Sequence, residues 1–131
     1  LLRRLDRKIR RHADRITRVE EHVEEDAAVG LIAYGSPARS AKHAAALARR
    51  EGIAVSWLAL LSIWPFPREH VRSMGERVCD VIVPELNLGQ IAHEVEWAVE
   101  GKVRVHGLSR VDGEPIHPQQ ILEKLREVAG K

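Results

Sequence analysis

Two short segments carry residue types that could bind an anionic ligand. The first, Gly35-Ser36-Pro37-Ala38-Arg39, follows an apolar run and precedes an alanine-rich stretch with helical spacing. Its backbone N–H groups could hold a phosphate or carboxylate, with Arg39 assisting. The alternative is ordinary helix-start chemistry, with Ser36 as N-cap and Pro37 at the first helical position. Ligand contact by Gly35, Ser36 and Arg39 is therefore one of two hypotheses.

The second segment is Glu85-Leu86-Asn87-Leu88-Gly89-Gln90, which follows a short apolar run. Asn87 can cap the next helix, and Gln90, three residues on, can reach back to it as in a capping box. Glu85 falls at the end of a predicted strand, where open α/β folds bind ligands. Two interpretations of Glu85 stay open: a contact to a ligand, or a solvated strand end.

A third feature is the tetrapeptide Trp64-Pro65-Phe66-Pro67. Its two prolines fix their own φ near −65° and push the preceding aromatic residues into extended conformations. We predict a stiff loop in which Phe66 packs beneath the helix that begins at Pro67. Trp64 either covers the end of the sheet or anchors a neighbouring domain or subunit, as exposed aromatic residues do at interfaces.

The sequence contains no recognisable catalytic constellation, so we predict no catalytic residue and no metal site. The seven histidines lie in different segments, without the paired spacing of a zinc site. The glycine pattern of a dinucleotide fingerprint, the P-loop and the G-x-S-x-G nucleophile elbow are all absent. The basic stretch from Arg3 to Arg18 has no interleaved aromatic residue for base stacking, which favours a helix face or subunit contact over nucleic-acid binding.

Composition indicates one globular domain without a membrane span. The chain has 131 residues, of which 44% are hydrophobic and 31% charged, and its net charge is +2. No apolar run approaches the roughly 20 residues that cross a bilayer, and the first residues lack the apolar core of a signal peptide. The single cysteine, Cys79, excludes an internal disulfide and suits a cytoplasmic protein; we predict a buried, unreactive thiol. Because no methionine begins the chain, we expect a piece of a longer polypeptide.

The elements that position these residues alternate along the chain. Apolar runs predict strands over 29–34, 53–61, 81–85 and 103–108; helical spacing predicts helices over 38–50, from Pro67, over 88–100 and over 118–128. This order predicts an open α/β sheet with helices on both faces, and the loops at 35–36 and 85–87 should meet at the carboxyl edge of its parallel strands. Residues 13–26 fit either a helix or a strand, and the pattern slightly favours a helix.

Three separated motifs carry a resemblance to a known family. The runs AYGSPARSAKHAAALARREGIAVSWLALLSIWPFP, VIVPELNLGQIAHEVEWAV and DGEPIHPQQIL resemble the alpha subunit of 2-oxoacid:ferredoxin oxidoreductases, in particular the 2-oxoglutarate type. They match its transketolase C-terminal-like domain, also called domain II. The resemblance implies a three-layer α/β/α fold with an open five-stranded, mostly parallel sheet, whose antiparallel edge strand would be Arg15–Glu24. Residues 1–14 would be a linker helix from a preceding domain, and 15–131 the domain itself.

The same resemblance implies a function for the complete enzyme. Such enzymes oxidatively decarboxylate a 2-oxoacid with thiamine diphosphate and magnesium, pass electrons through iron–sulfur clusters to ferredoxin, and form an acyl-CoA. The implied role of this chain is structural, in contact with other domains of the alpha chain and other subunits, with no cofactor of its own. The alternative is a stand-alone small α/β module that binds an anionic metabolite through the Ser36 and Glu85 loops.

Overall fold

The computed structural model describes residues 18–86, 89–110 and 114–130. It contains five strands and four helices in the predicted alternating order after the first strand. In chain order they are β1 (Val19–His22), β2 (Val29–Tyr34), α1 (Ser36–Arg50), β3 (Val55–Leu60), α2 (Arg68–Arg77), β4 (Asp80–Glu85), α3 (Gln90–Val99), β5 (Arg104–Ser109) and α4 (Pro118–Val128). The proposed linker, residues 1–14, lies outside the described residues.

The five strands form one sheet in the order β1-β3-β2-β4-β5. Strand β1 runs antiparallel to β3, with Val19 opposite Leu60, and the other neighbours are parallel. The antiparallel edge strand expected from the family resemblance is therefore confirmed at Val19–His22. The helix that the pattern slightly favoured is wrong there, because pairing with β3 outweighs the apolar spacing.

Side chains fasten this short edge strand to the domain. The ring of His22 stacks on Trp57 of β3, with centroids 5.9 Å apart. The Nζ atom of Lys42 in α1 lies over the Trp57 ring, 5.0 Å from its centroid. The same atom donates a hydrogen bond to the Glu20 carboxylate of β1 at 2.8 Å. Strand β1 is largely exposed and buries little apolar surface. These side-chain contacts therefore supplement the backbone pairing of its four residues with β3.

Helices cover both faces of the sheet, which confirms the predicted three-layer fold. On one face α1 and α4 pack over a core of small and branched side chains: Val29, Leu31, Ala41, Ala44, Ala45, Ala48, Ile121, Leu122 and Leu125. On the other face α2 and α3 cover Ile32, Leu58, Leu60, Val71, Met74, Val81, Val83, Val95 and Val99. The alanine stripe lets α1 lie close to the strands.

Two local predictions were wrong. Helix α1 begins at Ser36 rather than 38, and its N-cap is Gly35, whose φ of 75° suits glycine, so Ser36 is not the cap. Cys79 is exposed rather than buried. Val78 has an extended backbone and turns into the core; the next side chain in an extended segment points the opposite way, toward solvent.

Helices α2 and α3 approach each other closely at Gly75. A Cβ atom there would lie 2.9 Å from Cγ1 of Val99. We expect Gly75→Ala to lower the free energy of unfolding by about 1 kcal/mol, because overpacking outweighs alanine's better helix propensity. Urea unfolding of Gly75→Ala, Val99→Ala and the double variant measures this. The double variant should be more stable than the sum of the single effects predicts; strictly additive losses would contradict the proposed contact.

Candidate functional site

The candidate site lies where the connections on the two sides of β2 diverge. From β2 the chain crosses through α1 to β3 on one side, whereas β4 lies on the other side of β2. The β2–β3 ladder continues to Tyr34 and Leu60, but the β2–β4 ladder pairs only Val29 to Leu31 with Asp80 to Ile82. The carboxyl halves of β2 and β4 are thus not paired. Open α/β sheets bind ligands at such a switch point.

The structure brings the first two predicted segments to this edge. Gly35 follows β2 and Glu85 ends β4, so the parallel pairing of these strands places both at the carboxyl edge, as predicted; the end of the 85–87 loop lies outside the described residues. Ser36 and Arg39 are exposed in the first turn of α1, which carries no acidic residue. Ligand contact by Gly35, Ser36 and Arg39 stays a prediction, and all three residues are exposed to solvent.

Glu85 lies inside the domain at the end of β4, and its proposed ligand contact stays a prediction. Its side chain is buried, so it is not a solvated strand end. Its Oε1 accepts a hydrogen bond from the backbone N–H of Ile91 at 3.0 Å, and its Oε2 accepts one from Ala92 at 2.9 Å. The carboxylate therefore satisfies two of the unpaired N–H groups at the start of α3. An external anion at this helix would have to displace it.

The N-cap of α3 is a different residue from the predicted one. The N-cap is Gly89, in the left-handed conformation with φ 87°, so the capping box between Asn87 and Gln90 was wrong. Asn87 itself lies outside the described residues, and its proposed ligand contact stays a prediction. At α4 the prolyl start is as predicted, and Gln120 accepts from the backbone N–H of His117 at 2.9 Å.

Trp64 and Phe66 take different environments in the loop after β3. Phe66 packs, half-buried, against the core beneath α2 and α3, in agreement with the predicted packing. Trp64 is 70% exposed, and the Trp64–Pro65 peptide bond is cis. An exposed ring does not cover the end of the sheet, which favours the anchor interpretation of Trp64; that role stays a prediction.

The opposite edge holds an ionic cluster that sequence reasoning missed. Asp80, at the start of β4, accepts hydrogen bonds from Nε and Nη2 of Arg104 at 2.8 and 3.0 Å and from Nε2 of His106 at 2.9 Å. Burial alone would raise the pKa of Asp80, but the hydrogen bonds from Arg104 and His106 outweigh it and hold that pKa below its ordinary value. The sequence signal for this cluster was Arg104-x-His106, two residues on the same face of β5. It becomes recognisable only when the β4–β5 register places Asp80 opposite Arg104.

The side chains of the described residues do not fit a bound metal ion. Across the described ranges, no group of three or more His, Cys, Asp or Glu side chains is placed to hold a metal ion. An iron–sulfur cluster takes about four cysteine ligands, and the sequence has one. Within the same ranges, every helix is too short or too polar to cross a bilayer.

Comparisons with known proteins give concordant results. Residues 27–121 match the family described as pyruvate:ferredoxin oxidoreductase core domain II. The chain is 40% identical, over 95% of its length, to the 2-oxoglutarate synthase subunit KorA of Methanothermobacter thermautotrophicus. It is 39% identical over 87% of its length to the ketoisovalerate oxidoreductase subunit VorB of Methanothermobacter marburgensis. The chain spans about a third of the length of these relatives, 33% and 32% respectively.

Solved structures show the same fold. A 2-oxoglutarate:ferredoxin oxidoreductase from Magnetococcus marinus, with 2-oxoglutarate, coenzyme A and succinyl-CoA bound, superposes with a TM-score of 0.82 at 27% identity. The match covers 92% of this chain and 21% of that one. A split-gene transketolase, an inactive β4 tetramer, superposes with a TM-score of 0.68 at 20% identity over 82% of this chain and 40% of that one. At that identity the second likeness concerns the fold alone.

Proposed function

Because this chain belongs to the pyruvate:ferredoxin oxidoreductase core domain II family, we propose that it is the domain II portion of a 2-oxoacid:ferredoxin oxidoreductase alpha subunit. The observation that carries the proposal is the 40% identity to a 2-oxoglutarate synthase subunit over 95% of the chain. Relatives with that name recur at 36% and 35% identity. We therefore propose 2-oxoglutarate as the substrate of the complete enzyme, with a branched 2-oxoacid such as ketoisovalerate as the second candidate.

The role that we propose for the chain is structural rather than catalytic. Its described residues contain no group of side chains placed to hold a metal ion, and the Glu85 carboxylate accepts hydrogen bonds from the α3 backbone. In the complete enzyme, thiamine diphosphate with magnesium would decarboxylate the 2-oxoacid, clusters would carry electrons to ferredoxin, and coenzyme A would accept the acyl group. These groups would be held by other domains and subunits. The single cysteine is consistent with a cytoplasmic enzyme.

The test of this function uses the complete polypeptide together with its partner subunits. We expect ferredoxin reduction that requires both a 2-oxoacid and coenzyme A, with a higher kcat/KM for 2-oxoglutarate than for ketoisovalerate. Pyruvate is measured as a third 2-oxoacid, and its kcat/KM should also be lower than that of 2-oxoglutarate. The reverse preference would make the branched 2-oxoacid the substrate, and no reduction with any 2-oxoacid would overturn the assignment.

The chain of 131 residues alone should neither oxidise 2-oxoacids nor bind thiamine diphosphate. The reason is that its described side chains offer no cluster of ligands for a diphosphate-bound metal ion. Titration calorimetry with thiamine diphosphate and magnesium measures this directly, and magnesium alone is the control. Heat of binding with a dissociation constant in the micromolar range would contradict the structural role.

A further inference from the structure

Exposed apolar side chains are concentrated at the carboxyl edge of the sheet. Seven large hydrophobic residues are exposed among the described ones, and five of them belong to the segments that end β2, β3 and β4: Tyr34, Leu61, Ile63, Trp64 and Leu86. Because these three strands are parallel neighbours, their ends share one edge. We call these five residues the carboxyl-edge patch. Single exposed apolar residues need no explanation, but five such residues that share one edge of the sheet indicate an interaction surface.

The charge around the patch is positive. All four helices begin at this edge because each follows a parallel strand, and the N-terminus of a helix carries partial positive charge. The first turns of α1 and α4 contain no acidic residue, whereas the Glu85 carboxylate is hydrogen-bonded to the start of α3 and the first turn of α2 contains Glu69. Exposed Arg18 and Arg39 lie at the same edge. A complementary partner would have an apolar centre surrounded by carboxylates.

The size of the patch favours a covalently linked partner. An intermolecular interface of standard size uses about 20–30 residues on each side, far more than the carboxyl-edge patch supplies. A domain in the same polypeptide is held at an effective concentration of about millimolar, so a smaller contact suffices. The relatives have room for such a domain, because this chain spans only about a third of their length, 33% for the 2-oxoglutarate synthase subunit.

From these observations we propose that the carboxyl-edge patch docks a second folded domain of the same polypeptide, with Trp64 as the central anchor. The docking face of that domain is apolar at its centre and acidic at its rim. The proposal rests on the proposed function only in assuming the longer polypeptide. It assigns the switch-point edge, where ligands bind in many α/β sheets, to a protein contact instead.

Trp97 provides an internal control for the test. It is 71% exposed, against 70% for Trp64, and it lies on α3 with the guanidinium of Arg68 5.6 Å from its ring centroid. In the complete polypeptide, without other subunits, hydroxyl-radical footprinting read by mass spectrometry should oxidise Trp64 about tenfold more slowly than Trp97, because a docked anchor is desolvated. Equal oxidation rates for the two rings would overturn the proposal.

Two further arms identify the occupant. Trp64→Ala should raise the oxidation rates of Tyr34 and Leu61 about tenfold by undocking the domain, whereas Trp97→Ala should leave them within about twofold. Protection of Trp64 that appears only at high protein concentration would assign the patch to a second copy, and protection that needs an added subunit would assign it to that subunit. Either result overturns a linked domain as the occupant.

The measurement on the unmodified polypeptide needs no variant to fold, so it decides the proposal even where Trp64→Ala is unstable. It also separates this inference from the enzymatic assignment. Protection of Trp64 without ferredoxin reduction would leave the docking surface standing and remove the function. Ferredoxin reduction with an unprotected Trp64 would support the enzymatic function and overturn the docking surface.

Discussion

Replacing Glu85 by alanine is expected to lower the free energy of unfolding by about 3–5 kcal/mol, because two charge-assisted hydrogen bonds of roughly 1.5–3 kcal/mol each are lost. The variant leaves the backbone N–H groups of Ile91 and Ala92 without their acceptor in a buried setting. Urea unfolding of the wild-type chain and the variant gives the difference. The size of the effect distinguishes an internal cap from an acid reserved for a ligand.

Two variants control this measurement. Glu85→Gln keeps one oxygen acceptor but turns an amide N–H group toward the second donor, so we expect a loss of about 2 kcal/mol. Glu94→Ala removes an exposed carboxylate from the same helix and should change stability by less than about 0.5 kcal/mol. A Glu85→Ala variant as stable as the wild type would show that the carboxylate does not stabilise α3.

Asp80→Ala is expected to cost about 2 kcal/mol at neutral pH, since it removes the acceptor of Arg104 and His106. The cost stays below that of Glu85→Ala because Arg104 is 76% exposed and water can solvate it in the variant. For the same reason, Arg104→Ala should lower the free energy of unfolding by less than Asp80→Ala does. Thermal or urea unfolding of both variants compares them.

The Asp80 contribution also depends on pH. Its carboxyl has a lowered pKa in the folded chain, so the native state favours the ionised form relative to the unfolded chain, where the pKa is about 4. The stabilisation is complete above the unfolded pKa and is lost as pH falls through the folded one. The difference between wild type and Asp80→Ala should thus be constant above about pH 5 and shrink below about pH 4. A difference that grows in acid would contradict the ionised cluster.

The fold was largely predictable from the sequence because apolar runs and helical spacing are local. The last helix has the predicted bounds, Pro118–Val128, since a proline and an apolar stripe delimit it. The edge strand Val19–His22 needed the family resemblance, because its four residues owe their conformation to the backbone of β3. Cys79 was placed wrongly because one residue of strand phase decides which face a side chain takes.

The candidate site was less predictable than the fold. The position of Glu85 at a strand end was evident, but whether its carboxylate faces solvent, a ligand or a helix depends on where α3 begins. That start is fixed by Gly89 in the left-handed conformation, which places Ile91 and Ala92 within reach of the carboxylate. The Gly89 before an apolar helical run was the one local signal, since glycine is tolerated both as a cap and in this conformation.

The limited pairing of β2 with β4 divides the domain into two halves, and contacts within each half lie closer along the chain than the contacts of the seam that joins them. Within one half, residue 29 pairs with residue 55, and within the other, residue 80 pairs with residue 104. The seam joins residue 29 to residue 80, across a loop about twice as long. Loop-closure entropy rises with length, and non-local pairing is slow to form. The two βαβ halves should therefore assemble first, and the seam between the amino halves of β2 and β4 should close last.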